Sequence, residues 1–308
     1  PTVVAAPATT LSETDFATLS GYENAYKIIT ETEMYAILGA NDVDVNDSLT
    51  LSLVTDSSNF TSTNTGIDNT TSGVVQLTAA DITALGITAN VGDFFIYSLG
   101  FDGLNASETS TATFNVILSD GTAPVTSTVT LTVNGVNDAP TVVAAPATTL
   151  SETDFATLAG YENAYKIITE AEMYVILGAD DVDLNDSLTL SLVTDSSDFT
   201  STTNAGIVNS NSGVVQLTAA DIVGYGLTGV ANVGDFFIYS IGFDGLNATD
   251  VANVTFDVIL SDGTSPVTST VSLTVDGVND APTVSVTPVS LSETDFATLA
   301  GYENAYKI

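Results

Sequence analysis

LSDGTAPVTSTVTLTVNGVNDAP, residues 118–140, carries the pattern that decides the fold. Upstream, TATFNVIL (Thr111–Leu118) alternates polar and apolar residues; STVTLTV (Ser127–Val133) does so again after the turn at Asp120-Gly121. Period-two alternation in Thr- and Val-rich segments puts one face in a core and one in solvent, as in a strand half-buried in an antiparallel sheet. The segment closes on GVNDAP (Gly135–Pro140), and the same six residues return as Gly277–Pro282. SLTLSLV (Ser48–Val54) alternates too, whereas GVVQLT (Gly73–Thr78) and FFIYSLGF (Phe94–Phe101) are more uniformly apolar. Bounded by Asp-Gly or Asn-rich turns, these predict an all-β fold, an antiparallel sandwich of the immunoglobulin type. Two short helices interrupt it: Thr30 precedes Glu33 in ITETEMYAIL, and Thr78 precedes Asp81 in TAAD, both at capping-box spacing.

Self-comparison sets the domain count. The opening PTVVAAPATTLSETDFATL starts at Pro1 and again at Pro140, and a related copy starts at Pro282, a period of roughly 140 residues, the size of a domain rather than of a solenoid unit. The predicted units are residues 1–139, residues 140–281, and the opening of a third copy at 282–308. The second copy's extra residues fall where NFTSTNTGIDNTTSGVV becomes DFTSTTNAGIVNSNSGVV and DITALGITANVGDFF becomes DIVGYGLTGVANVGDFF, Gly-, Asn- and Thr-rich stretches where loops absorb length.

The chain has 308 residues, 44% of them hydrophobic, so there is material for real cores. Asp and Glu number 38 against 3 Lys and no Arg or His, a formal charge of −35 that disfavours nucleic acid and anionic lipid and calls for divalent cations or salt. No Cys is present, which excludes disulfides and thiolate metal sites, and no apolar run reaches the ~18 residues of a membrane helix. The Pro1 start reads as a segment of a longer mature chain.

GANDVDVNDSL (Gly39–Leu49) and GADDVDLNDSL (Gly178–Leu188) place Asp42, Asp44 and Asn46, then Asp181, Asp183 and Asn185, at alternate positions. Such hard oxygens suit Ca²⁺, but the stretch is no EF-hand loop: counting from Asp42, the position that needs Gly is Asp47 and the one that needs Glu is Leu53. A calcium shell takes more oxygens than three short side chains offer, so Glu13, Asp102, Asn137 and Asp138 are candidates to complete one. The competing reading is loop acids acting as turn formers; recurrence at domain spacing and the scarcity of basic residues favour the ion.

With these residues in view, LSDGTAPVTSTVTLTVNGVNDAP resembles the closing strands and linker of bacterial cadherin-like and VCBS-type repeats of RTX adhesins and large extracellular surface proteins. ITEAEMYVILGADDVDLNDSLTLSLV is similar to the helical turn and Asp-rich loop near their start. The resemblance implies immunoglobulin-like sandwiches with Ca²⁺ where consecutive domains meet. It assigns linker ligands to Asn137 and Asp138, the Asp-x-Asp pair to Asp181 and Asp183, and the glutamate of the preceding domain to Glu13. Asn-Asp-Ser stands in place of the family's Asp-Gly-Asp run, and Asn134 stands where the second repeat has Asp276. Asp42 and Asp44 lack an upstream linker here, and Asn279 and Asp280 lack a complete downstream domain, so the junction around Asp138 is the one complete site expected.

Lys27, Lys166 and Lys307 each sit in YENAYKI. An intramolecular isopeptide crosslink and plain ion pairing with neighbouring acids are both open, and strand pairing of this segment with another domain or chain is a further possibility. Sequons at Asn46, Asn59, Asn69, Asn105, Asn185, Asn247 and Asn253 are expected by chance in so Asn- and Thr-rich a chain. Without His, Cys, Arg or a phosphate loop, an enzyme is not expected. The predicted function is a structural repeat of an extracellular rod, filament or giant adhesin, stiffened by calcium at its junctions and partnered by neighbouring repeats or identical chains. The alternative is a carbohydrate- or surface-binding adhesin domain.

Overall fold

The computed structural model describes all residues except 5–7, 45, 55–58, 144–146, 160, 195–196, 287, 289, 291, 293–296, 300–301 and 306–308. In chain order the first nine strands are Thr9–Ser12 (β1), Ala17–Leu19 (β2), Tyr22–Ile29 (β3), Thr50–Leu53 (β4), Asn59–Ser62 (β5), Ser72–Gln76 (β6), Phe94–Ser98 (β7), Thr109–Ser119 (β8) and Val125–Asn134 (β9). They form two sheets. One runs β1-β9-β8-β4 with β5 also on β8, the other β2-β3-β7-β6; every pairing is antiparallel except β1 on β9.

The alternation read from the sequence lies in the hairpin β8–β9, whose register pairs Thr109 with Asn134 and Leu118 with Val125. Ala112, Phe114, Val116 and Leu118 point inward from β8, and Val129, Leu131 and Val133 from β9. They meet Ile29, Val74, Phe94 and Ile96 of the facing sheet in one continuous core. β7 is uniformly apolar because it is covered on both faces: Phe95, on the outer side, stacks against Tyr26 at 5.1 Å and meets Tyr97 in a tilted contact at 5.5 Å.

The second sandwich repeats the plan with Thr148–Ser151 (β11), Ala156–Leu158 (β12), Tyr161–Ile168 (β13), Thr189–Leu192 (β15), Asp198–Ser201 (β16), Ser212–Gln216 (β17), Phe236–Ser240 (β18), Val251–Ser261 (β19) and Val267–Asp276 (β20). At its entrance Thr141–Val142 (β10) pairs with Ala179–Asp180 (β14). The longer second loop adds Leu227 and Ala231 to the outer-face cluster around Phe237. In the third copy Ala297–Leu299 (β21) pairs with Tyr302–Ala305 (β22); Lys307 lies outside the described residues.

The helices are Glu31–Leu38 (α1), Ala79–Leu85 (α2), Glu170–Leu177 (α3) and Ala219–Gly224 (α4). Thr30 Oγ1 accepts from Glu33 N at 3.2 Å and Thr30 N donates to Glu33 Oε2 at 2.8 Å, closing the capping box; Gly39, with φ 56°, ends the helix. Phe114→Ala is expected to destabilise the first sandwich by ~3–5 kcal/mol in urea unfolding, since its fully buried ring joins both sheets.

Candidate metal centre at the junction of the two sandwiches

GVNDAP is the strip between β9 and β10, and each residue type in it answers a local demand. A Cβ at residue 135 would collide with the carbonyls of Leu104 and Asn105, so only glycine lets the strip lie against the end of the first sandwich. Val136 N then donates to Glu13 Oε1 at 2.9 Å. Asn137 Nδ2 donates to Asp262 Oδ2 at 2.8 Å and Ser265 Oγ at 3.3 Å, and Asp138 N donates to Asp183 Oδ2 at 2.8 Å. Buried Pro140 keeps the residue before it extended as the chain enters the second sandwich.

Carboxylates converge on this strip from five segments. Glu13 opens the 3₁₀ turn Glu13–Asp15 and is fully buried. Asp102 lies in the turn Phe101–Gly103, where its Oδ1 accepts from Asn24 Nδ2 at 3.0 Å. Asn24 holds φ 43°, a left-handed conformation that Asn tolerates. Asp138 comes from the strip. Asp181, Asp183 and Asp186 come from the loop after β14, where Asp183 N donates to Asp181 Oδ1 at 3.0 Å and tightens the turn. Asp262 comes from the β19–β20 hairpin, where its Oδ1 accepts from Thr264 N and Ser265 N, each at 2.6 Å.

One oxygen each of Asp181, Asp186 and Asp262 lies within 4.8 Å of the others. Five buried oxygens here have no hydrogen-bond partner: Glu13 Oε2, Asp138 Oδ2, Asp181 Oδ2, Asp183 Oδ1 and Asp186 Oδ2. Burial pushes Glu13 up to about 8 against the pull of the Val136 N–H, and Asp138, Asp183 and Asp102 add to the rise. Burial likewise takes Asp138 to about 6, helped by Asp102, Asp181 and Glu23. For Asp183, also at about 6, burial outweighs the Asp138 N–H, and Asp138, Asp186 and Asp181 add repulsion. Burial raises Asp102 and Asp181 as well.

Of the residues read from sequence, Glu13, Asp102, Asn137, Asp138, Asp181 and Asp183 share this junction. Asp42 and Asp44 lie at the far end of the first sandwich, where Asp42 groups with Asp47 and Asp120 and the Pro1 ammonium stands 3.0 Å from Asp42 and 3.4 Å from Asp120. Asn279 and Asp280 lie exposed beyond the second sandwich, near Glu152, whose carboxyl burial raises to about 7. Sequence reasoning missed Asp186 and Asp262. Counting every second residue from Asp181 lands on Asn185, which turns its amide to Glu108, while Asp186 faces the cluster. Asp120-Gly121 and Asp262-Gly263 read as turn formers, and their recurrence at domain spacing was the available signal. Lys27 Nζ donates to Asp15 O at 3.5 Å; Lys27 and Lys166 also weakly favour the charged forms of Glu33 and Glu172.

No protein-family model matches the chain, and neither does any curated protein sequence. Among solved structures it is similar to human protocadherin-24 EC1-2, at 14% identity and a TM-score of 0.38 over 89% of this chain and 95% of that one. It is similar to protocadherin gamma B2 extracellular cadherin domains 1-5, at 13% identity and a TM-score of 0.34 over 89% of this chain and 38% of that one. An endo-fucoidan hydrolase of glycoside hydrolase family 107 matches at 13% identity and a TM-score of 0.24; 76% of this chain spans 27% of the hydrolase.

The raised carboxyls fix a pH dependence. Each titrates higher in the folded junction than in the unfolded chain, so its contribution to stability is full below about pH 4 and is lost as pH rises through 6 to 8. In divalent-free buffer the calorimetric Tm is expected to rise on acidification from pH 8 to pH 5, more steeply than in Glu13→Gln. Equal slopes in the two proteins would contradict the assignment.

Proposed function

We propose that the chain is a spacer segment of an extracellular rod, filament or large adhesin, whose consecutive sandwiches are locked by calcium at their junction. The observation that carries this reading is the set of five buried, unpartnered carboxylate oxygens contributed by both sandwiches and the strip between them. A buried charge needs a counter-charge, and among the described residues no lysine lies there. The donors are hard oxygens in a cys- and his-free chain, the set that calcium takes and zinc or copper does not favour.

Glu13, Asp102, Asp138, Asp181, Asp183, Asp186 and Asp262 would hold the cation. Bound there, it supplies positive charge that turns mutual repulsion into convergence. The chain's residues do the rest: Asn137 ties the strip to the β19–β20 hairpin, and the Asp138 N–H presents Asp183 to it. The carboxylates fall into two groups, Glu13, Asp102, Asp138 and Asp183 on one side and Asp181, Asp186 and Asp262 on the other. Seven negative charges exceed what one divalent ion balances, so more than one calcium per junction is expected in calorimetric titration. No helix among the described residues is long and apolar enough to cross a membrane, which fits a segment outside the bilayer.

Small-angle scattering with and without chelator tests the reading. Chelation is expected to broaden the interdomain distances and shift the radius of gyration, and superimposable profiles would sink it. Asp183→Asn is expected to weaken calcium binding by about tenfold or more, equivalent to ~1.4 kcal/mol, without changing the core.

A further inference from the structure

The two sandwiches carry nearly the same sequence, so the chain contains its own control. The lower end of the first is covered by the Asp-rich loop of the second, while the corresponding lower end of the second faces no such loop among the described residues. Residues that match in sequence differ between the two ends. Gly103 is buried and Gly245 exposed; Asn64 is 1% exposed, whereas Asn204 is only half-buried. On the loop side, Val43 is 84% exposed in the uncovered copy and its counterpart Val182 41%.

Hydrogen bonds change with this cover. At the open end Asn247 folds its amide back on Asp250 at 3.4 Å, and Asn204 Nδ2 donates to Gly242 O at 3.1 Å. At the covered end Asn105 instead gives its amide to Asp186 across the junction, and Asn64 donates to Gly103 O. Asn185 reaches back to Glu108, which is one methylene longer than Asp250, its match in the second repeat. Between these bonds sits Leu184. A Cβ at Gly66 would lie 2.6 Å from Leu184 Cδ1; one at Gly103 would lie 3.0 Å from Val182 O and 3.4 Å from Leu184 Cγ. The two glycines let one side of the leucine lie directly against this end, while the rest of it stays exposed.

We propose that this end of a sandwich, formed by Asn64, Gly66, Gly103, Asn105 and Glu108, is a docking surface for the Asp-rich loop of the following repeat, held by the Asn185–Glu108 bond and by Leu184 lying against the two glycines, and effective without calcium once carboxylate repulsion is screened. Leu184, Asn185 and Glu108 are outside the carboxylate set that would hold calcium, and only the Asn105–Asp186 bond is shared with it, so the contact deepens the spacer reading while standing mainly on different atoms. Its strength need only be modest, because a short linker keeps the two surfaces at roughly millimolar effective concentration. The ion would neutralise the junction; the Asn185–Glu108 bond and the leucine contact would set how one sandwich sits on the next.

The test uses the whole chain, which lacks Cys and so accepts two dyes cleanly, at Thr83→Cys and Val223→Cys, both exposed positions on α2 and α4. Energy-transfer distance distributions are recorded in calcium, and in chelator with 1 M NaCl, where the screening length is about 3 Å and carboxylate repulsion is suppressed. In chelator with 1 M NaCl, where the repulsion that broadens the distances on chelation alone is screened, the parent protein is expected to keep a single narrow distance. Leu184→Ala and Gly103→Val are expected to lose it, and Glu108→Asp to broaden it, with calcium stoichiometry unchanged in Leu184→Ala. Leu184 is 60% exposed, so its truncation leaves the sandwich folded, and an unchanged Tm checks this. A parent distribution in chelator as broad as that of Leu184→Ala overturns the proposal. If calcium moves nothing in the parent while Leu184→Ala still broadens the distance, the ion reading fails and the docking surface stands.

Discussion

Carboxylates buried without a counter-charge are the constraint around which this molecule is arranged. Glu13 is fully enclosed, accepts one backbone N–H from the linker and has a second oxygen with no partner. Left alone, such a group would be neutralised or would open the structure to water. Here it is placed where the linker strip delivers one more such oxygen and the next sandwich three, so the cost is concentrated at one point along the chain. Folding of each sandwich and association of the two are thereby separate problems: the cores close on apolar side chains, and the unpaired carboxylates gather at the junction.

That separation is visible in the strip between β9 and β10. Gly135 is dictated by the backbone of Leu104 and Asn105, Val136 by Glu13, Asn137 by the β19–β20 hairpin and Asp138 by the Asp-rich loop. Four successive residues thus meet first one sandwich and then the other, and a strip of this composition is needed wherever the same two ends meet. Its return at Gly277–Pro282 follows from that geometry, with a Cβ at Gly277 meeting Asn247 O as one at Gly135 meets Asn105 O.

The fold was largely legible. Alternation in Thr111–Leu118 and Ser127–Val133 placed β8 and β9, and the Thr30–Glu33 and Thr78–Asp81 spacings placed α1 and α2, because these signals are local: a strand's two faces and a helix's first turn are written within a few residues. The site was legible only in part. Asp181, Asp183, Asn137 and Asp138 stand out as clusters, but Asp262 is a lone acid in a turn about 125 residues from Asn137, and nothing near it in sequence marks it as facing the linker. Asp186 was lost to a count by twos, since the loop is not a strand and its side chains do not alternate.

The sequence by itself determined the period, the all-β class, the charge imbalance and the residue types available for chemistry, because these depend on composition and on neighbours in the chain. Only the tertiary structure decided which acids share a site, that Asn185 serves Glu108 rather than the cluster, and that Leu184 lies against Gly66 and Gly103. Those are meetings between residues tens of positions apart on two different sandwiches. They are set by how one packed body seats on another, a quantity that no local pattern of side chains encodes.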